Sequence, residues 1–299
     1  MNYVYPQFSK IEFLNLRLGG AGLGNLLFMY SRAFKFAKEN NCEFIWPTWK
    51  SIKIGTWIRR EKDKRFYGDL FKNNSGYVGG IKKKWILHTA KKVTEDTFNP
   101  NGDNQVVIFD KYIMDYSYFE EYRNEIKADL VKNVQEKNRK ACEFDGSNCI
   151  CAHIRLGDFL TANTDALQSG VNNMSTPVSW YVDIIKGIRE TVGRDVKVYI
   201  FSDGRDEELK ELLELNNVER ITFGTSIADI LALSNAKLLI ASGSTFSSWA
   251  RFLGGMTTIA YENQLKCHGL CAEGNAEIEI CDASKITDLA KNKIKNIYL

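Results

Sequence analysis

Nowhere in the 299 residues is there a run of about 18 apolar side chains, so no membrane-spanning helix is expected. The opening MNYVYPQFSK lacks a basic head, an apolar stretch and a small-residue cleavage site, so no secretory signal is expected either. Internal repeats and low-complexity tracts are missing, which sets aside a repeat array. Cysteine occurs seven times, an odd number at irregular spacing. That argues against a disulfide framework and for reduced thiols in a cytoplasmic protein, with peripheral attachment to the inner face of a membrane as an extension. What remains is ordinary for a globular chain, 44% hydrophobic and 26% charged, and the length suggests two domains.

The net charge of +3 hides an asymmetry. Residues 50–92 hold thirteen Lys/Arg against three acids, Glu61, Asp63 and Asp69, so the rest of the chain carries a net −7. Such a block calls for an anionic partner: phosphate, an acidic glycan, a lipid headgroup or nucleic acid. The plain alternative is a solvated basic loop. Within it KKKWILH, residues 82–88, sets a tryptophan beside lysines, as at a membrane surface.

FLNLRL (13–18) reads as an opening strand, GGAGLGN as a turn, LLFMYSRAFKFAKEN as an amphipathic helix and CEFIW (42–46) as a second strand. This is a βαβ start. The basic segment around Gly76, Gly79 and Gly80 reads as irregular, QVVIFDKY as a strand, and 117–142 as one long helix. DGSN (145–148) is the best break, giving domains 1–145 and 146–299. After it five strands (CICAHIRL, VKVYIFSD, RITFG, KLLIAS, TTIAYE) alternate with helices, which predicts a parallel doubly wound sheet. A closing helix in SKITDLAKNKIKN is free to pack back on the first domain.

In open α/β sheets ligands collect beyond the carboxyl ends of the strands. Three strand ends of the second half carry residues a core would not choose. In AHIRLGD, alternation sends His153 and Arg155 to the same side. Arginine offers a planar fork suited to a diphosphate; Gly157 permits a turn, and Asp158 either orients Arg155 or acts as a base. In IFSDG, Asp203 leaves the sheet where it can accept hydrogen bonds from a ribose or a base. In IASGSTFSSWARFLGG, Gly243 makes the turn and hydroxyl residues cap a helix whose free N–H groups suit an anion. Singly these are a surface ion pair, an Asx turn and a helix cap. Occurring together at three exits of one sheet, they point to a diphosphate pocket that needs no metal.

Two tempting motifs fail. In LGGAGLGN the G-x-G-x-x-G register would need glycine where Asn25 stands, no Lys-Ser/Thr follows, and no acid ends the second strand, so neither NAD nor ATP is expected there. Those glycines instead let backbone N–H groups approach a ligand, with Asn25 as a side-chain contact. CHGLC (267–271) and Cys281 supply three thiols and His268, but no second pair closes a tetrahedral site, so no zinc is expected. Cys149 and Cys151 fall on a core strand.

Taken together, GGAGLGNLLFMYSRAFKFAKEN, HIRLGD, FSD and SGSTFSSWARFLGG resemble, in order and across the whole chain, the α-1,2-fucosyltransferases of glycosyltransferase family 11. The resemblance implies two doubly wound α/β domains facing a cleft, a GT-B-like arrangement with an acceptor-side N-terminal and a nucleotide-sugar-binding C-terminal domain. It implies inverting, metal-independent transfer of L-fucose from GDP-β-L-fucose to a hydroxyl, the 2-OH of a galactoside, in a cell-surface glycan such as an O-antigen or lipopolysaccharide. No cofactor beyond that donor is implied. Carried over by position, Arg155 contacts the donor diphosphate with His153 beside it, and Asp203 contacts the nucleoside. Ser244, Thr245, Phe246 and Ser247 lie at the phosphates and guanosine, and Gly22, Gly24 and Asn25 line the cleft.

Leu156, Phe159, Leu26, Gly204 and Ser248 stand where Arg, Tyr, Gln, Asp and Trp are usual, which keeps another GDP-sugar donor open. Two further classes use the same features. A non-catalytic nucleotide- or glycan-binding protein would hold the donor without transferring it. A nucleic-acid binder would use the basic block with Trp46, Trp49, Trp57 and Trp85 for stacking, but no nucleic-acid motif is present and no such partner is expected. The basic block suits a lipid-linked oligosaccharide acceptor at an anionic membrane better.

Overall fold

Tyr3, Val4, Tyr5 and Pro6 are all buried, a run without alternation, and they form an inner strand covered on both faces. The computed structural model describes residues 1–13, 15–53 and 64–298. Leu14 and Leu299 lie outside the described residues, as do positions 54–63 of the basic block, Trp57, Glu61 and Asp63 among them.

The chain forms two compact units, Met1–Arg139 and Lys140–Leu299. The first contains β1 (Tyr3–Pro6), β2 (Glu12–Phe13), β3 (Leu16–Leu18), α1 (Leu23–Glu39), β4 (Glu43–Phe44), β5 (Ser51–Ile52), α2 (Gly80–Thr89), β6 (Lys91–Val93), β7 (Gln105–Phe109) and α3 (Arg123–Asn133). Its main sheet has the order β4-β1-β7-β6, every pairing parallel. Tyr3, Tyr5 and Val106 pack with Ile86 of α2 and with Ala90 just after it, while α1 lies against β1, β4 and β7.

This unit departs from the sequence reading in three places. The opening strand is β1; in place of one strand over 13–18 there is a short antiparallel pair, β2 with β3, and Asn15 just before β3 takes a left-handed conformation (φ 63°). The stretch read as irregular contains α2. Its pattern is hidden because Lys83 points inward, donating to Trp46 O (2.9 Å) and Thr48 Oγ1 (2.8 Å), and burial pushes its ammonium down to about 8. The long helix of 117–142 is three pieces: a 3-10 segment at Ser117–Tyr122, α3, and a 3-10 segment at Glu136–Glu143. Val134 turns extended (ψ 141°) and bridges to Phe71, which stops α3.

The second unit contains β8 (Gly146–Ile154), α4 (Thr164–Gln168), α5 (Val178–Val192), β9 (Lys197–Ser202), α6 (Lys210–Leu213), β10 (Val218–Arg220), α7 (Ser226–Leu233), β11 (Ala236–Ala241), α8 (Thr245–Gly254), β12 (Thr257–Ala260), β13 (Glu277–Glu279) and α9 (Asp288–Tyr298). Its sheet is parallel throughout, ordered β10-β9-β8-β11-β12-β13. Alternate residues of β8 face opposite ways: Ile150, Ala152 and Ile154 toward α5 and α9, Cys149 and Cys151 toward α7 and α8. The sheet is therefore doubly wound. The edge strand β13 had no counterpart in the sequence reading, and the helix between β9 and β10 is only the short α6 after a series of turns. The last helix, α9, packs on this unit: Ile294 and Tyr298 join its core, and Tyr298 Oη donates to Cys149 O at 3.1 Å.

One buried carboxylate ties the first unit together. Asp129 on α3 accepts from Tyr30 of α1, from Tyr77 Oη (2.6 Å), from Ser75 Oγ (2.9 Å) and from Asn133 Nδ2 (3.0 Å). Asp129→Ala removes the carboxylate that accepts from Tyr30, Tyr77 and Ser75, while Asn133 keeps Ser75 Oγ and the backbone carbonyl of position 129, and it is expected to lower stability by about 3 kcal/mol in urea unfolding. A loss below about 1 kcal/mol would mean the donors find other partners.

Candidate functional site

Strands β9, β8 and β11 are immediate neighbours, and their registers pair His153 with Phe201 on one side and with Ala241 on the other. Parallel strands about 4.8 Å apart that end level bring whatever follows them together. His153 is the last inward polar residue of β8, 5% exposed. Its Nδ1 lies 2.9 Å from Ser242 Oγ, just beyond β11, and 2.7 Å from Ser247 Oγ in the first turn of α8, while its ring stacks on Phe246 at 4.5 Å. Burial pushes the imidazole down to about 3; Asp203 opposes this and Arg155 adds to it. His153 is thus a neutral hinge pin between two strand ends and a helix start.

Arg155 sits between two carboxylates. Its Nη1 is 2.7 Å from Asp203 Oδ2, and its Nε and Nη2 donate to Asp158 Oδ1 at 3.1 and 2.6 Å. Asp203 also accepts the Leu156 N–H at 2.9 Å, which fixes the chain as it leaves β8. Gly157 makes room for this: a Cβ there would lie 2.5 Å from Asp203 Oδ2. The guanidinium keeps partial access to solvent (25%), with Asp158 the more exposed of its two partners, at 42% against 31%.

The turn after β11 enters α8 with Ser244 as its cap, its Oγ accepting the Ser247 N–H at 3.2 Å. Ser242, Ser244 and Ser247 form a buried hydroxyl triangle with edges of 3.1 to 3.2 Å. The sequence reading named Ser244 and Ser247 as donor contacts. Their hydroxyls turn inward to this triangle and to His153, and half-buried Thr245 and Phe246 form the outer lip of the helix start. The sequence reading did not name Ser242, whose signal was its position one residue past an apolar strand.

Behind the site, buried Arg251 donates to Glu277 Oε1 at 2.5 Å, and Glu277 also accepts the N–H groups of Gly269 and Leu270. This anchors the segment with Cys267, His268 and Cys271 to α8 and β13. His268 is exposed beside Glu277 and Glu279, and among the described residues no group of three or more His, Cys, Asp or Glu is placed to hold a metal ion.

Gly22, Gly24 and Asn25 belong to the first unit. Gly22 precedes α1 without a side-chain cap, Gly24 lies in its first turn, and the Asn25 N–H donates to Gly22 O at 3.1 Å. The Leu23 N–H is taken by Tyr67 Oη at 3.0 Å. Before it, Gly20 at φ +93° lets the chain pass over fully buried Arg17; a Cβ there would fall 2.2 Å from Arg17 Nη1.

Residues 103–268, more than half the chain, match the family model described as glycosyl transferase family 11. The chain belongs to glycosyl transferase family 11. It is similar to an α-1,2-colitosyltransferase of Escherichia coli, 23% identical over 265 residues that cover 79% of this chain and 86% of that one. Among solved structures, the fucosyltransferase NodZ from Bradyrhizobium aligns over 89% of this chain and 96% of its own, at 13% identity and a TM-score of 0.50. The likeness is one of fold, α/β and GT-B-like. In this family 11 chain the matched span contains Arg155, Asp203 and the start of α8, whereas residues 22–25 precede it.

The buried imidazole has a measurable signature. Below about pH 6.5 the unfolded chain binds a proton that folded His153 refuses, so stability falls with acid by roughly 1.4 kcal/mol per pH unit toward about pH 3. His153→Gln removes this component. The stability difference between wild type and variant is expected to narrow as pH is lowered; parallel curves would show that folded His153 titrates normally.

Proposed function

We propose that this family 11 glycosyltransferase moves L-fucose from GDP-β-L-fucose, with inversion, to a galactoside 2-OH in a cell-surface glycan such as an O-antigen. The observation that carries the donor side is the convergence of Arg155, Asp203 and the first turn of α8 at three adjoining strand ends. In the reaction the acceptor oxygen attacks the anomeric carbon while the bond to GDP breaks and its electron pair passes to the diphosphate. A fixed guanidinium and the N–H groups at Thr245 and Phe246 would meet that growing charge, commonly a large part of catalysis. Under this reading the charge is balanced without a divalent ion or any cofactor.

The Nε/Nη2 edge of Arg155 is the edge that binds an oxyanion pairwise, and Asp158 now occupies it. Diphosphate entry therefore exchanges Asp158 for a phosphate while Asp203 keeps its hold. This favours Asp158 as a positioning partner that the donor displaces; once displaced, the carboxylate is also free to take the acceptor proton. Gly22, Gly24 and Asn25 are assigned to the acceptor side, and the enzyme to the cytoplasm, at the inner membrane face.

A second reading keeps the site and changes the sugar. The relative named a colitosyltransferase favours a colitosyl donor, and Leu156 and Gly204, flanking the Arg155–Asp203 pair, are positions where the sugar preference is open. Side-by-side transfer assays with the two GDP-sugars decide between them.

GDP is expected to raise the unfolding midpoint more than UDP, ADP or CMP, with the shift surviving EDTA. Arg155→Ala should lower kcat/KM by about 10²- to 10³-fold with the fold intact. Near-wild-type transfer by that variant, or no response to GDP, would overturn the proposal. Asp158→Asn separates the two roles: tighter GDP binding with kcat retained marks a displaced partner, whereas a fall in kcat at unchanged GDP affinity marks a base.

A further inference from the structure

Helix α2 is built against the usual pattern. It turns Lys83 and Ile86 inward and leaves Ile81 86% exposed and Trp85 61% exposed. One helical turn apart, these two share a face with Lys84 and His88, both exposed. Exposed Lys91 and Lys92 follow directly on β6, an edge strand of the sheet. Lys82 is neutralised by Glu43 at 3.0 Å, but among the described residues Lys84, Lys91 and Lys92 have no ion-pair partner. Burying a lysine while exposing a tryptophan and an isoleucine runs opposite to what water alone selects.

We propose that this face of α2, with Ile81 and Trp85 as the apolar tip and Lys84, Lys91 and Lys92 around it, docks on an anionic lipid surface. Two large apolar side chains ringed by cations match shallow insertion at headgroup level, where an indole is favoured and lysines meet lipid phosphates. The same patch is small and one-signed for a protein partner, which would call for a broader apolar core. No described helix is long and apolar enough to cross a membrane, so any such attachment by these elements is from the side. This inference does not depend on the sugar donor, and a protein that binds GDP but not vesicles would separate the two.

The test is co-sedimentation of the full chain with phosphatidylglycerol-containing vesicles and with phosphatidylcholine vesicles, at low salt and at about 0.5 M. Binding is expected on the anionic vesicles only, and lost at high salt. Ile81→Ser with Trp85→Ser should weaken it by about tenfold, and Lys84→Gln, Lys91→Gln and Lys92→Gln together by about 100-fold. All five side chains are exposed, so the unfolding midpoint and the response to GDP should stay as in the wild type. No binding to anionic vesicles, or binding that neither variant weakens, overturns the proposal. So does self-association that the Ile81/Trp85 variant abolishes without any vesicle binding, which would assign the face to a second copy of the chain.

Discussion

The contact between Arg155 and Asp203 organises the carboxyl end of the second sheet. Neither residue is usable alone: Arg155 follows the last residue of one strand and Asp203 the last of its neighbour, and their meeting fixes both exits. Asp203 holds the Leu156 N–H with its second oxygen, so the direction in which β8 ends and the placement of the guanidinium are set by one carboxylate. Shortening it or giving Gly157 a side chain disturbs both at once. On the other flank His153, kept neutral by burial, draws the end of β11 and the start of α8 against β8. A charge facing out and an imidazole facing in, two residues apart, thus join three strand ends into one surface.

Much of this half was legible in the sequence, for a physical reason. A strand buried on both faces reads as an unbroken apolar run, and the helices between such strands keep the 3.6-residue period, so CICAHIRL, VKVYIFSD and KLLIAS announce themselves and their ends. What lay beyond reach was which polar groups pair across strands. Nothing local says that Asp158 and Asp203 share one arginine, or that Ser247 turns to a histidine 94 residues earlier instead of outward. The edge strand β13 was missed because its three residues, Glu277, Ile278 and Glu279, carry too little apolar signal.

The first unit hid more because its polar residues do the work of a core. Lys83 points inward, so the pattern of α2 is broken at the position that would define it. Asn133, the last residue of α3, reaches back to Asp129 and across to Ser75, an arrangement that charge spacing along the segment does not show. In that unit the buried carboxylate of Asp129 is satisfied by neutral donors. In the second, buried Arg251 forms a close ion pair with Glu277, supported by two backbone N–H groups.

The place of β8 in its sheet bears on how the protein is made. It is the first strand of the second unit to leave the ribosome and lies at the centre, between β9 and β11. Its partner β11 ends at Ala241, about 90 residues after Ile154, which at common elongation rates is roughly 5–20 s of synthesis with one long apolar edge unpaired. During that interval the nascent chain carries an adhesive edge, which is where a chaperone would act.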